Sequence, residues 1–314
     1  MSRRRTLLRA LTVFLLALLF PAATGAQAAG GVKPPLQTAG RVQCGAVQSA
    51  ILKRPVRYCA LLPPSYDTAK TRRYPALYYL HGLYENEQSL VNFGGWNLVE
   101  ELQEKKRIGE FLIITPDGGR SFYINARPST SLRAGDGKER WEDFFIREFI
   151  PAMERTFRIR AVRAARAIGG SSMGGFGALR FAFKYPHLFN SVGAHQAALV
   201  ENPSQWLSET VAPMLGRLTG AFGTPPDLAY WRAQSPFALA RNAAGLSRLK
   251  IYFDCGTEDE YGFHVGAKAL AVLLRSRKIP HEFHLYSGGH GWLYVADHLE
   301  DSLVFHSRAF GLTK

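Results

Sequence analysis

The chain has 314 residues, of which 46% are hydrophobic and 20% are charged, and its formal net charge is +14. Such a hydrophobic content excludes a disordered or collagen-like chain, and the length allows one large domain with a full core. Three cysteines are too few for a disulfide-rich scaffold or a structural zinc cluster.

Residues 1–28 have the pattern of a secretory signal peptide. Arginines precede an apolar run from Leu11 to Phe20, and Ala26-Gln27-Ala28 matches an A-x-A cleavage site. The apolar run is about half as long as a membrane-spanning helix needs, so we expect no stable membrane insertion. We predict cleavage after Ala28 and a secreted or periplasmic protein, with residues 29–40 as a loose leader. Cleavage would remove four arginines and lower the net charge to +10.

Two of the cysteines, Cys44 and Cys59, lie in extended segments that flank a possible turn at Ile51-Leu52. The two positions are equally far from the turn, so they would face each other across a hairpin. In an oxidising compartment they could form a disulfide. The alternative is two separately buried thiols, since a cross-strand bridge needs a particular geometry. Cys255 lies in an apolar run and is expected to be a buried free thiol.

Short apolar runs alternate with helical patterns from residue 41 onward. Eight extended runs are strand candidates, and most of them are short apolar runs typical of strands buried on both faces: Val42–Ala50, Val56–Leu62, Pro75–Leu80, Phe111–Thr115, Ala164–Ile168, Ser191–His195, Lys250–Asp254 and Glu282–Tyr286. Five helical patterns lie between or after them: Leu98–Lys106, Glu142–Phe157, Phe176–Lys184, Gly266–Ser276 and Leu293–Arg308. The alternation predicts one α/β domain over residues 41–314, with a mostly parallel sheet of about eight strands and helices on both faces. The first two strands have no helix between them and are expected to form an antiparallel hairpin at one edge.

Residues 197–247 interrupt this alternation. They contain two short helical patterns and several turn-forming residues but no convincing strand. An insertion that follows the carboxyl end of a strand lies over the ligand crevice of such a sheet, and loops at that edge commonly carry specificity. We interpret the segment as a small helical cap over the substrate pocket, and a surface insertion without a role is the alternative.

The sharpest chemical signal is the sequence Gly170-Ser171-Ser172-Met173-Gly174, between a predicted strand and a predicted helix. This is the setting in which G-x-S-x-G forms a nucleophile elbow. The turn leaves little room for a side chain two positions before or after the nucleophile. That requirement selects Ser172, because centring the motif on Ser171 would place Met173 at a position that needs a small residue. A Gly/Ser turn without catalytic duty is the alternative.

A serine hydroxyl becomes nucleophilic when a base takes its proton and a third group orients that base. In this motif's fold the partners follow in the order serine, acid, histidine. Asp259 is the preferred acid because it lies in the loop after a predicted strand. Its rivals are Glu258 and Glu260 in the same loop and Asp254, which is still within the strand. His290 is the predicted base, since it follows the last strand in a turn with glycines on both sides.

The tetrahedral intermediate also needs donors for its oxyanion. One candidate is the backbone N–H of Met173, and the other is the N–H of Leu83 after an early strand, with Gly82 close behind. His81, at the end of that strand, is expected to brace the loop. Four aromatic residues are candidates for lining the pocket, although aromatic residues at such places are as often part of the core: Trp96, Tyr123, Tyr261 and Trp292.

These motifs in combination resemble the putative esterase family. They are Tyr79-Leu80-His81-Gly82-Leu83, Pro116-Asp117-Gly118-Gly119, the glycine-rich residues around Ser172, Asp254–Asp259 and Gly288-Gly289-His290. The resemblance covers roughly residues 42–310, and the family contains S-formylglutathione hydrolases of the esterase D type, feruloyl esterases and mycobacterial mycolyltransferases. It implies an α/β-hydrolase fold in which Ser172 is the nucleophile, Asp259 the acid and His290 the base, with Leu83 and Met173 as oxyanion donors. The stretch from Gly118 to Tyr123 is most similar to the mycolyltransferases, but His81 stands where those enzymes carry an acid.

We therefore predict a secreted serine carboxylesterase that hydrolyses carboxylic esters or thioesters through an acyl-enzyme on Ser172. Its substrate would be a small-molecule or carbohydrate-linked ester, with no cofactor and no metal. The alternatives are an acyltransferase that uses a sugar or an alcohol as acceptor, and a non-catalytic binding protein on a hydrolase fold. The basic residues are scattered, which favours a solvated surface over a nucleic-acid-binding face.

Overall fold

A computed structural model describes residues 41–127, 139–206, 220–223 and 226–313. The predicted signal peptide and leader, residues 1–28 and 29–40, lie outside these residues, as does part of the predicted cap. Eight strands are present: β1 (Arg41–Ser49), β2 (Arg54–Leu62), β3 (Ala76–Leu80), β4 (Leu112–Pro116), β5 (Arg166–Ser171), β6 (Ser191–His195), β7 (Lys250–Gly256) and β8 (Glu282–Tyr286). The eight predicted strands are confirmed, each with bounds within three residues of those expected.

The described residues form the following helices: α1 (Ser89–Asn92), α2 (Gly95–Glu104), α3 (Trp141–Phe144), α4 (Ile150–Thr156), α5 (Met173–Lys184), α6 (Pro203–Trp206), α7 (Leu228–Gln234), α8 (Pro236–Asn242), α9 (Phe263–Ser276) and α10 (Trp292–Ala309). A π-helical turn, Phe145–Phe149, joins α3 to α4. The single helix predicted over residues 142–157 is therefore three consecutive helical segments. None of the described helices is long and apolar enough to cross a membrane.

The strands form one sheet in the order β1-β2-β4-β3-β5-β6-β7-β8. β2 is antiparallel to β1 and to β4, and every other pair is parallel. The predicted antiparallel hairpin at one edge is confirmed, with Cys44 directly opposite Cys59 and joined to it by a disulfide. A bridge over this separation stabilises the fold by about 3 kcal/mol, largely by constraining the unfolded chain. Cys255 is a buried free thiol, as predicted.

Two apolar layers cover the sheet. Helices α3, α4, α5, α8 and α9 pack on one face, and α2 and α10 pack on the other. Strands that are buried on both faces need continuous apolar side chains, which is why they appear as short unbroken apolar runs in the sequence. Because seven strands point the same way, the loops after β3, β5, β6, β7 and β8 meet at one edge of the sheet, the edge where open α/β sheets bind ligands.

One buried histidine of α10 couples the stability of this core to pH. His306 is 1% exposed, and its Nδ1 lies 2.9 Å from the hydroxyl oxygen of Ser191 in β6. The ring lies so close to the sheet that a Cβ added to Gly193 would be 2.7 Å from His306 Nε2. Burial, with a smaller contribution from the nearby His195, lowers the pKa of His306 to about 3.

Lowering the pH from 7 to 5 is therefore expected to reduce the free energy of unfolding by about 2 kcal/mol through His306. The folded pKa lies below the ordinary value of 6.5, so the native imidazole stays neutral while the unfolded one binds a proton. This contribution to stability is present above pH 6.5 and is lost as the pH falls. Urea unfolding at pH 7, 6 and 5 measures it.

The matched variant is His306→Asn, which cannot titrate and should show a shallower decline of stability over the same pH range. A smaller decline should persist in that variant, because burial also lowers the pKa of His81. Parallel curves for the two proteins would contradict the prediction.

Candidate active site

Ser172 occupies a strained turn between β5 and α5. Its φ is 52° and its ψ is −117°, a backbone conformation that residues other than glycine rarely adopt. The turn is also tightly packed: a Cβ on Gly170 would lie 2.4 Å from the carbonyl oxygen of Leu80, and one on Gly174 would lie 1.9 Å from the same oxygen. The close approach of β3 therefore explains why glycine stands two positions before and two positions after Ser172.

The structure brings Ser172, His290 and Asp259 into one hydrogen-bonded chain. His290 Nε2 lies 2.9 Å from Ser172 Oγ, and His290 Nδ1 lies 2.8 Å from Asp259 Oδ2. The other carboxylate oxygen of Asp259 accepts the backbone N–H groups of Tyr261 at 3.0 Å and Phe263 at 3.3 Å. Because Asp259 accepts the proton on Nδ1, Nε2 of the neutral ring can accept the hydroxyl hydrogen of Ser172. This arrangement can withdraw a proton from the serine.

The two glutamates that flank Asp259 in sequence hold the backbone of the histidine loop. Glu258 accepts a hydrogen bond from the N–H of Gly288, and Glu260 accepts one from the N–H of His290 at 2.8 Å. Hydrogen bonds from the Thr257 hydroxyl and from Gly288 lower the pKa of Glu258. Neither glutamate makes a hydrogen bond to the imidazole of His290 within the described residues.

Asp254, the fourth carboxylate considered from the sequence, lies in a separate buried cluster. Its oxygens accept the hydroxyl hydrogens of Tyr252 at 2.7 Å and Tyr294 at 3.0 Å, and His195 Nδ1 lies 2.8 Å from Oδ2. Burial raises the pKa of both tyrosines, so their hydroxyls stay protonated and continue to donate. The cluster lies under the carboxyl edge of the sheet and does not include Ser172.

Two backbone N–H groups are available as oxyanion donors. The N–H of Gly82 donates to Glu85 Oε2 at 2.7 Å, so the candidate donor in that loop is the N–H of Leu83. Leu83 and Met173 both line the pocket, and neither N–H donates to another residue in the described part of the chain. Met173 begins α5, where N–H groups lack helical partners and the helix dipole favours negative charge.

His81 connects the Gly82 loop to a second turn. Its Nδ1 lies 2.7 Å from the carbonyl oxygen of Gly82, and its Nε2 accepts the N–H of Gly118 at 2.8 Å. Burial lowers the pKa of this histidine, so the neutral ring carries its proton on Nδ1 and donates it to Gly82. His81 therefore braces the loop, as the sequence predicted.

A mainly apolar pocket of about 180 Å³ lies beside Ser172 and His290. Its wall includes the following apolar side chains: Phe122, Val200, Trp231, Tyr261 and Phe263. Trp231 comes from the segment predicted to form a cap, and it stacks on Phe222 with ring centroids 4.4 Å apart. The described part of that segment thus contributes to the pocket wall.

For three of the four aromatic residues predicted to line the pocket, the prediction is wrong. Tyr261 is the one of the four that lies among the described lining residues. Trp96, a residue of α2, is buried in the core between this helix and the sheet, and Tyr123 is buried on the other face of the sheet. Trp292 packs beside Phe93, with its ring N–H donating to the Phe93 carbonyl at 2.9 Å.

Several pocket residues were missed by sequence reasoning. Phe122 lines the pocket, whereas its neighbour Tyr123 does not; both lie in a turn with positive φ, 49° and 56°. Two polar side chains, Glu85 and Gln196, also line the pocket. Burial raises the pKa of Glu85. No pattern in the sequence marked either polar residue.

The part of the chain that the structure describes contains no candidate metal site. No three or more His, Cys, Asp or Glu side chains there are arranged so that they could hold a metal ion. The chemistry available at the pocket is that of a serine, an imidazole, a carboxylate and backbone N–H groups.

The model of the putative esterase family matches residues 49–306. Esterase Rv1288 of Mycobacterium tuberculosis is 31% identical over 248 residues, which cover 73% of this chain and 51% of that protein. The chain therefore spans about half the length of this curated relative. S-formylglutathione hydrolase of Mus musculus is 27% identical over 284 residues, which cover 83% of this chain and 91% of that enzyme.

Solved structures show the same fold. A ferulic acid esterase superposes with a TM-score of 0.72 at 25% identity, covering 87% of this chain and 100% of its own. An S-formylglutathione hydrolase from Agrobacterium tumefaciens superposes with a TM-score of 0.68 at 20% identity, covering 87% of this chain and 97% of its own. These neighbours confirm the α/β-hydrolase architecture predicted from the sequence.

Proposed function

Because this chain belongs to the putative esterase family, we propose that it is a serine carboxylesterase that hydrolyses carboxylic esters or thioesters through an acyl-enzyme on Ser172. The observation that carries the proposal is the hydrogen-bonded chain from Ser172 through His290 to Asp259. A nucleophile bound to a base, with that base oriented by a carboxylate, is the arrangement that nucleophilic catalysis by serine requires.

In the first half of the reaction, Ser172 Oγ attacks the ester carbonyl carbon while His290 Nε2 takes the hydroxyl proton. Asp259 stabilises the imidazolium that forms and keeps the ring in its orientation. The carbonyl oxygen becomes an oxyanion and accepts hydrogen bonds from the N–H groups of Leu83 and Met173. Collapse of the tetrahedral intermediate expels the alcohol or thiol, which receives its proton from His290, and leaves the acyl group on Ser172.

In the second half, a water molecule replaces the departed alcohol beside His290. The imidazole takes a proton from this water as its oxygen attacks the acyl carbon, and the same two N–H groups hold the second oxyanion. Collapse of this intermediate releases the carboxylic acid and returns the proton to Ser172 Oγ.

The pocket wall supports a compact, apolar acyl group as the part of the substrate held beside Ser172. Aromatic side chains dominate the wall, and Trp231 is held in place by its stack on Phe222. Apolar acyl groups gain binding energy by leaving water for such a surface. The proposed substrates are therefore esters or thioesters of small apolar acids, including those linked to a carbohydrate.

We also propose that the protein acts after export from the cytoplasm. The N-terminal pattern of arginines, an apolar run and Ala26-Gln27-Ala28 supports this. The Cys44–Cys59 disulfide is a second, independent support, because disulfides persist mainly in oxidising compartments.

A rapid-mixing experiment with p-nitrophenyl acetate tests the proposed activity. We expect a burst of about one equivalent of nitrophenol per chain, followed by slower steady turnover, because acylation of Ser172 precedes hydrolysis of the acyl-enzyme. Adding a sugar or alcohol acceptor and analysing the products distinguishes hydrolysis from transfer: acetate as the main product supports the proposal, and an acylated acceptor as the main product supports a transferase. No nitrophenol release above the buffer rate would reject esterase activity.

A further inference from the structure

The side chain of Gln196 binds the backbone of the histidine loop on the carboxyl side of the proposed base. Its Oε1 accepts the N–H of Gly291 at 2.9 Å, and its Nε2 donates to the carbonyl oxygen of Gly291 at 2.9 Å. Gly291 directly follows His290, and its φ of 130° lies outside the range that most residues adopt. One carboxamide therefore satisfies both polar groups of the residue next to the base.

The segment that carries Gln196 also binds the backbone of Ser172. The carbonyl oxygen of His195 accepts the N–H of Ser172 at 3.0 Å, and the N–H of Ala198 donates to the carbonyl oxygen of Ser172 at 3.0 Å. Residues 195–198 thus contact the nucleophile's backbone at two points and the histidine loop at two points. This short segment after β6 fixes the relative position of two loops that are far apart in the chain.

Gln196 is itself held rigidly. Its side chain and backbone are 2% exposed, and its N–H donates to the carbonyl oxygen of Asp254 at 2.8 Å. Its φ is 39°, a left-handed conformation that is strained for a residue other than glycine. A strained, buried residue that holds a catalytic loop is the combination expected where positioning serves the reaction.

We propose that Gln196 is a positioning residue that sets the contact between His290 Nε2 and Ser172 Oγ. The inference rests on the proposed serine mechanism and adds a residue to it. The two hydrogen bonds to Gly291 need one donor and one acceptor on the same side chain, because Gly291 presents both an N–H and a carbonyl oxygen. A carboxylate matches only the N–H and repels the carbonyl oxygen, and a thioether offers neither hydrogen bond.

The loop is held from its other end by weaker contacts. Glu258 and Glu260 accept the N–H groups of Gly288 and His290, but both carboxylates lie in exposed hydrogen bonds at the surface. Of these contacts with the loop backbone, the part-buried hold on Gly291 is therefore the one whose loss should move the imidazole most. Small displacements of a catalytic group have large effects on rate, of the order of 10²-fold for about 1 Å.

Gln196→Met tests the proposal, with Asn190→Leu as the matched control. Asn190 precedes β6 and donates from its carboxamide to the Ala309 carbonyl at 2.7 Å, so it ties β6 to the far end of α10. We expect Gln196→Met to lower kcat for p-nitrophenyl acetate about 10- to 100-fold, with KM within about threefold of the parent value. Asn190→Leu should lower Tm and leave kcat unchanged.

Gln196→Glu gives a second readout that does not depend on how well the methionine variant folds. When the introduced carboxyl is protonated, it can donate to the Gly291 carbonyl oxygen; when it is ionised, it cannot. The ratio of kcat between this variant and the parent should therefore rise as the pH is lowered. The titratable groups around this position, His290, Asp259, Asp254 and Glu85, are present in both proteins, which is why the ratio to the parent is compared rather than kcat of the variant alone.

The outcomes separate this inference from the proposed function. A parent protein without esterase activity would reject the proposed function, and the role of Gln196 with it. An active parent whose Gln196→Met variant keeps kcat within twofold overturns the role of Gln196 alone. An equal loss of kcat in Asn190→Leu, or a kcat ratio for Gln196→Glu that does not change with pH, also overturns it, since a merely structural contact would behave in that way.

Discussion

Replacing Ser172 by alanine is expected to lower kcat for ester hydrolysis by about 10⁶-fold, the scale found when a serine hydrolase loses its nucleophile. The alanine has no oxygen to attack the carbonyl, so His290 has no proton to withdraw in the acylation step. The oxyanion donors and the pocket would remain, and they account for residual catalysis of about 10³-fold over water. Steady-state kinetics with p-nitrophenyl acetate, together with thermal unfolding to check the fold, measure the effect.

The neighbouring hydroxyl provides the control. Ser171 is the other serine of the motif and is buried at the end of β5, so Ser171→Ala changes the same chemical group one position away. It should keep activity within about tenfold of the parent, because no hydrogen bond joins Ser171 to His290 within the described residues. The lost hydroxyl should instead cost about 1–3 kcal/mol of stability. If Ser172→Ala kept more than a small fraction of the activity while Ser171→Ala lost it, the motif would be centred on the wrong serine.

Asp259→Asn is expected to lower kcat by about 10⁴-fold, as in serine hydrolases whose orienting carboxylate becomes an amide. Asp259 Oδ2 lies 2.8 Å from His290 Nδ1 and accepts its proton. An asparagine that presents its NH₂ group at that point would favour the proton on Nε2, and Nε2 could then no longer accept the hydroxyl proton of Ser172. The variant should fold, because the asparagine oxygen can still accept the N–H groups of Tyr261 and Phe263.

Two matched variants distinguish Asp259 from the other carboxylates. Glu258→Gln keeps an oxygen for the Gly288 N–H, so kcat should stay within about tenfold of the parent. Asp254→Asn disturbs a buried cluster with Tyr252 and Tyr294. Its main effect should therefore be a lower Tm, with only a small change in kcat. A loss of 10⁴-fold in Glu258→Gln, or near-normal activity in Asp259→Asn, would mean that the orienting carboxylate is assigned to the wrong residue.

The fold was predictable because the physical demands on buried parallel strands are local. The central strands β3 to β7 are buried on both faces, so each appears as a short apolar run, and most of these runs end at glycine, proline or aspartate. The hairpin of β1 and β2 could be predicted because no helical pattern lies between the two strands in the sequence. The positions of Cys44 and Cys59, equally far from the predicted turn, then predicted that the two cysteines face each other. The π-helical turn at Phe145–Phe149 could not be predicted, because it changes the hydrogen bonding of a helix without changing its apolar pattern.

The contact between Ser172, Asp259 and His290 was predictable for a different reason. Parallel strands bring their carboxyl ends to one edge, so residues in the loops after β5, β7 and β8 must lie near each other. The tight approach of β3 to the elbow requires the two flanking glycines, which makes the nucleophile's position visible in the sequence. The chemistry of the three side chains then defines which loop residues belong together.

The pocket wall was not predictable in the same way. Loop residues have no periodicity, so an aromatic side chain there can face the core or the cavity. Phe122 and Tyr123 illustrate this, since adjacent residues in one turn lie on opposite sides of the boundary. Gln196 carries no sequence signal either, because its partner is the backbone of Gly291, which every residue type presents.

Chemical trapping of the intermediate tests the central claim most directly. After reaction with a fluorophosphonate or a slowly deacylating ester, trypsin should release a peptide spanning residues 167–180, which contains both Ser171 and Ser172. Fragment-ion mass spectrometry should locate one adduct on Ser172, and Ser172→Ala should remain unlabelled. An adduct on any other residue, or steady ester turnover by a protein that is never labelled at Ser172, would contradict the account.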